Sequence, residues 1–168
     1  MIQRWFDRKF DFSFGMEKYP LLRERLQLAP SCYHEATASL HEPVLHIAPA
    51  NRWSIKTHIG HLRILEPLWQ RRFQDIANGM VTLSPADLNN AATHEADFDG
   101  MPLPELLADF EVERKKTLAI LDRLTVDDFS KSSFHPRLRQ PMRIIDLMYF
   151  IAEHDDHHLT TINELIKH

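Results

Sequence analysis

The stretch RIIDLMYFIAEHDDHHLTTINELIK, residues 143–167, decides the fold. At about 100° per residue, Leu147, Phe150, Ile151, His154, His158, Ile162 and Leu165 fall on one stripe, which predicts a long amphipathic helix. Two histidines therefore face inward with the apolar residues. His154 and His158 stand four apart, one turn above the other on the same face. A buried imidazole needs a partner at each ring nitrogen, and a stacked inward pair without one leaves costly unsatisfied groups. Each ring could be satisfied by a backbone carbonyl or a buried water. For a pair at this spacing metal ligation is the stronger reading, and a third histidine from another helix would complete a three-ligand site with open coordination positions.

The remainder of the chain repeats the helical pattern. Only four glycines occur, and most of the ten prolines fall where a helix would begin or end, so the chain reads as all-α. Tyr19 to Leu28 predicts a short amphipathic helix, and Pro30 opens another through Tyr33, Ala36 and Leu40. A long helix is expected from Ile55 to about Asn78, with Ser54 as its cap, Gly79 past its end and a kink near Arg63 caused by Pro67. Residues 81–102 read as a connector. Pro104 starts a further helix carrying Leu107, Phe110, Leu118 and Leu121, residues 125–141 read as irregular, and the histidine helix follows. The expected architecture is one domain over residues 1–168, a four-helix bundle with an extra N-terminal arm and a short helix, its ligand site built from inward side chains on facing helices. The arm aromatics Trp5, Phe6, Phe10, Phe12 and Phe14 are expected to pack onto the domain as a lid.

Composition narrows the function classes. A net charge of −4 with acids and bases interspersed offers no general attraction to nucleic acid. No apolar run approaches a membrane span, and the start lacks the pattern of a secretory signal. The single cysteine, Cys32, cannot form an internal disulfide, so a cytoplasmic location is expected. There is no Gly-rich phosphate loop, Gly-x-Ser-x-Gly elbow or Cys-x-x-Cys pair, which removes support for nucleotide and serine-hydrolase chemistry.

The third imidazole should come from the long helix before Gly79, where His58 and His61 lie three apart. His58 lies nearer the centre of that stripe and His61 nearer its edge, and spacing alone does not choose between them. Gly60 either permits a close approach by a neighbouring helix or ligand or is a plain packing glycine. Among flanking residues, Glu153, Asp155 and Asp156 read as a solvated helix face, and Glu66 is the next candidate to reach the metal. His157, about 100° from His158, points toward a groove or a neighbouring subunit. His34, His41, His46, His94, His135 and His168 read as surface or satisfied polar residues, and Trp69 and Phe73 as core. A carboxylate or backbone carbonyl is expected on the outer N–H of each ligand.

Trp53-Ser54-Ile55, followed by Gly60-His61-Leu62 and by Glu153-His154-Asp155-Asp156-His157-His158-Leu159, resembles the DinB superfamily, including its YfiT-like members. The likeness extends over Arg25-Leu26 with Pro30, Leu65-Glu66-Pro67-Leu68-Trp69 and Tyr149-Phe150. That resemblance implies a four-helix bundle in which one histidine of the second helix and a C-terminal His-x-x-x-His bind a divalent metal, here His61, His154 and His158, and it selects His61 over His58. It further implies a metal-dependent enzyme acting on a small molecule, a transferase using a low-molecular-weight thiol or a hydrolase, and a homodimer. Zinc or nickel suits three imidazoles. The competing class is a non-catalytic bundle stabilised by metal, or a stress-related binding module. A zinc protease fits less well, because Asp155 stands where the usual helical motif carries a glutamate base.

Overall fold

The computed structural model describes residues 3–49 and 52–167, which form helices α1 (Tyr19–Thr37), α2 (Glu42–Leu45), α3 (Ile55–Ala77), α4 (Ala91–Glu95), α5 (Leu103–Leu121) and α6 (Ile144–Leu165). One antiparallel hairpin, β1 (Ser132–His135) with β2 (Gln140–Arg143), precedes α6. Local signals account for several ends. The Ser54 hydroxyl accepts the Thr57 amide at 3.1 Å to start α3, which closes at Asn78 before Gly79 at φ +68°. At the start of α6 the Asp146 carboxylate accepts the Arg143 amide at 2.8 Å.

The four long helices make the bundle. α1 packs on α5 and α6, and α3 packs on the same two helices, so α1 and α3 occupy opposite corners. The core falls into two apolar clusters along the bundle axis. One includes Leu26, Phe73, Leu118 and Ile151, the other Tyr33, Ile59, Phe110 and Ile162. On each helix the polar residues that matter below lie between these two sets: Glu66 on α3, Arg114 on α5, His154 to His158 on α6.

Three sequence expectations are corrected. Pro30 does not open a new helix; α1 runs through it from Tyr19 to Thr37. The N–H that Pro30 lacks would have paired with the Leu26 carbonyl, and the Arg114 guanidinium donates to that carbonyl instead, at 2.9 Å. The 81–102 connector carries α4 and a parallel bridge between Thr82 and Phe134. Residues 125–141 hold a 3-10 turn at Val126–Ser130 and then the hairpin, whose register pairs Ser132 with Arg143 and His135 with Gln140. Pro67 is carried inside a continuous α3. No helix among the described residues is long and apolar enough to cross a membrane. His168 lies outside the described residues.

Candidate metal centre

α3 and α6 face each other, and their stripes bring three imidazoles together. His61, His154 and His158 are all buried, and each offers one ring nitrogen within 4.8 Å of the others. Nε2 of His158 lies 3.2 Å from Nε2 of His154. Burial, reinforced by neighbouring imidazoles, pushes His61 down to about 3 and holds His154 and His158 well below the ordinary histidine range. All three rings are neutral at physiological pH, so their lone pairs are available to a cation without displacing protons.

The outer ring nitrogens find other partners than expected. Nδ1 of His61 hydrogen-bonds the Thr93 hydroxyl at 2.9 Å, from α4 in the stretch read as a connector. Nδ1 of His158 lies 2.7 Å from Nδ1 of His58, which stands behind the trio rather than within it. His58 itself is pushed down to about 4, chiefly by burial. Nδ1 of His154 is buried without a hydrogen-bond partner among the described residues. A hydroxyl and an imidazole thus take the places foreseen for carboxylates and carbonyls. Nothing in the sequence marks Thr93, which follows His61 by 32 residues in a segment without periodicity.

Of the acidic residues beside the trio, only Asp156 lies on a solvated face. Both carboxylate oxygens of Asp155 accept from Arg114, at 2.7 and 3.0 Å, and the residue is buried. Burial pushes Asp155 up to about 6 while Arg114 pulls the other way. Glu153 is bound by Arg8 at 2.5 Å and by Arg25 at 2.7 Å, and Asp156, the exposed member, by Arg25 at 2.6 Å. Glu66 takes Arg114 and Thr117 and does not join the histidines. The partners responsible lie on other helices or on the arm, where no spacing within α6 could reveal them.

The trio lies on the wall of a cavity of about 580 Å³. Two indoles flank it: Trp5 meets His154 edge-on with centroids 4.7 Å apart, and Trp53 stacks on His158 at 6.0 Å and lies 4.6 Å from His61. Trp5 reaches the site because the N-terminal arm packs on α6, its ring also touching Phe150 at 5.1 Å. Trp69 and Phe73 are buried as core, Trp69 also lining the cavity. His157 is half-buried on that cavity, and His135, expected as surface or satisfied, is buried there with Arg72 3.2 Å from its Nε2. His34, His41, His46 and His94 are exposed. Arg72 and Arg137 also line the cavity and were not singled out from sequence. Arg72 carried a signal nonetheless, since His61, Leu65, Trp69 and Arg72 follow one another at helical spacing. The side chain missing from Gly60 leaves room for the Phe98 ring, a close approach of neighbouring chain rather than of ligand.

A four-helix bundle with three convergent imidazoles on one cavity wall defines the class. The chain belongs to the DinB superfamily, whose sequence profile matches residues 25–162. It is similar in fold to YfiT from Bacillus subtilis, described as a probable metal-dependent hydrolase with an unusual four-helix bundle topology. That likeness has a TM-score of 0.80 at 20% identity and covers 95% of this chain and 92% of the other. No curated protein matches the sequence.

Proposed function

We propose that the protein is a metal-dependent enzyme acting on a small molecule, with His61, His154 and His158 as the ligands of one divalent ion, zinc or nickel. The observation that carries this reading is the convergence of three buried, neutral ring nitrogens on a cavity large enough for a substrate. Three protein ligands leave coordination positions free, and an ion held there supplies the Lewis acidity that makes a water or a thiol reactive near neutral pH. The chain's own residues prepare that position. Thr93 and His58 fix the rings of His61 and His158 from behind, and Trp5 and Trp53 shield them from bulk water.

Activation of water makes the protein a hydrolase, the activity ascribed to YfiT, and a low-molecular-weight thiol in the same position makes it an S-transferase. A purely scaffolding ion is disfavoured by Arg114, which already ties α1, α3 and α6 to α5 without metal. A protease-type general base at Asp155 is disfavoured by the same guanidinium, which occupies both carboxylate oxygens. We propose further that residues 1–168 act as one domain, in the cytoplasm and as a homodimer; sedimentation of the purified protein tests the last of these.

The decisive experiment is metal analysis of untagged protein. Wild type is expected to retain about one equivalent of zinc or nickel, and His154→Ala and His158→Ala to retain none while keeping their helical circular dichroism. Unchanged metal content in both variants would refute the site. Ester hydrolysis and thiol conjugation, each run with and without chelator, then separate the two chemistries; rates indifferent to chelation exclude both.

A further inference from the structure

Seven arginines of the chain are not exposed: Arg8, Arg23, Arg25, Arg72, Arg114, Arg137 and Arg143. Five of them are salt-bridged, to Glu153, Asp122, Asp156, Glu66, Asp155 or Asp146. The two without an ion pair among the described residues, Arg72 and Arg137, line the same cavity as the histidine trio. This is an acidic protein, so carboxylates are not scarce. Withdrawing a guanidinium from water without a direct carboxylate partner is costly, and it recurs twice in one place.

The geometry of the pair suits a ligand. Arg72 is 2% exposed and spends Nε on the Ser84 carbonyl at 2.9 Å, with Nη1 3.2 Å from the His135 ring. Nη2 has no hydrogen-bond partner among the described residues. Arg137 makes no hydrogen bond among the described residues, and its Nη2 is buried. Each guanidinium lies against aromatic rings, Arg72 at 5.5 Å from Trp69, Arg137 at 5.4 Å from Phe6 and 5.7 Å from Phe150. Contact with the ring holds the planar group while its N–H edges stay free, the arrangement that receives a carboxylate or phosphate. Two nearby carboxylates make no hydrogen bond to the pair: Asp75, which acts on Arg72 only through its charge, accepts the Ser84 amide at 2.7 Å, and Asp87, on the same cavity, accepts the Asn89 and Ala91 amides at 2.9 and 2.6 Å. Burial lowers both guanidinium pKa values, Arg72 to about 10, which leaves both charged at neutral pH.

We propose that Arg72 and Arg137 form an oxyanion-binding subsite of the cavity. The substrate is then a small molecule with a carboxylate or phosphate at one end, an apolar middle against Trp69 and Phe150, and its reacting group toward His61, His154 and His158. This rests on the metal-dependent reading above for the direction in which the substrate lies. Phe150, against which Arg137 lies, precedes His154 by one turn of α6, so the anion end sits on the N-terminal side of the trio along that helix.

Calorimetric titration of the zinc-loaded full chain tests the subsite, with 3-phenylpropionate, phenyl phosphate and the neutral 3-phenylpropionamide as probes. At least one anion is expected to bind about tenfold or more tightly than the amide, as charge-assisted hydrogen bonds require, and the tighter anion assigns carboxylate or phosphate. Arg137→Gln, in the hairpin loop, and Arg72→Gln should each bring that ratio toward one with zinc content unchanged. A ratio near one in wild type overturns the subsite. So does a ratio that persists in both variants but vanishes in zinc-free protein, because the anion then sits on the ion. Should wild type bind no zinc yet keep the ratio, the metal reading fails and the subsite stands.

Discussion

His154 and Asp155 are neighbours on α6, and their side chains leave the helix about 100° apart into opposite kinds of polar interior. On the Asp155 side every donor is used. The Arg114 guanidinium makes five hydrogen bonds, two to Glu66, two to Asp155 and one to the Leu26 carbonyl, which matches its five N–H groups. Thr117 takes the remaining oxygen of Glu66, and the Tyr33 hydroxyl takes the Asp155 carbonyl. Burial opposes the Arg114 charge, but the two carboxylates outweigh it and its pKa rises. On the His154 side the account is open. The buried side-chain atoms without a partner among the described residues are Nδ1 of His154 and Nη2 of Arg137, and both residues line the one cavity. A closed network holds a fold together, whereas unspent lone pairs and donors around a cavity are held ready for something that binds.

The sharpest way to break that contrast is to open the closed side. Arg114→Met leaves Glu66 and Asp155 buried without their counter-charge, and a loss of about 3–5 kcal/mol in urea unfolding is expected. Replacing Glu66 and Asp155 by apolar residues in the same chain should recover much of that loss, because an all-apolar layer has no uncompensated charge. Equal stability of Arg114→Met and wild type would show the network to be incidental. The open side should respond in the opposite currency. Thr93→Val removes the hydroxyl that orients His61 at nearly constant volume, so metal affinity should fall by roughly 10-fold to 100-fold. Its unfolding free energy should move by only about 1 kcal/mol. Competition with a chromophoric chelator measures the first quantity and urea unfolding the second; a change confined to stability would make Thr93 a packing residue.

The legibility of the two sides differs for a physical reason. Residues whose role is set by their own helix could be read: the α6 stripe put His154 and His158 inside, and Ser54 and Gly79 marked the ends of α3. Residues whose role depends on a distant partner could not. Pro30 looked like a helix start because nothing nearby showed that Arg114 would take the Leu26 carbonyl. Asp155 looked solvated because its counter-charge lies 41 residues away. The hairpin escaped because its strands are four residues long and without apolar alternation, and with it went His135 and Arg137. Between His58 and His61, periodicity leaned to His58 and did not decide, and both are buried on the cavity. The family resemblance chose His61, and the chain places His61 with the α6 pair and His58 behind His158.

His135 offers the mildest probe of the open side. Its ring is buried beside two cations, Arg72 from α3 and Arg137 from its own hairpin, and burial followed by those charges pushes its pKa down to about 3. The folded protein therefore resists a proton that the unfolded chain accepts below about 6.5. The unfolded state binds the additional proton throughout that window, so stability falls as pH is lowered from about 6.5 toward 3, by at most about 1.4 kcal/mol per pH unit for this one ring. His135→Gln should flatten that part of the stability profile while leaving the plateau above pH 7 close to wild type. An anion bound at Arg72 and Arg137 would offset their charge, raise the histidine's pKa and shallow the slope in wild type, leaving the variant unmoved. A slope that ignores both the substitution and the added anion would place the acid sensitivity elsewhere in the chain.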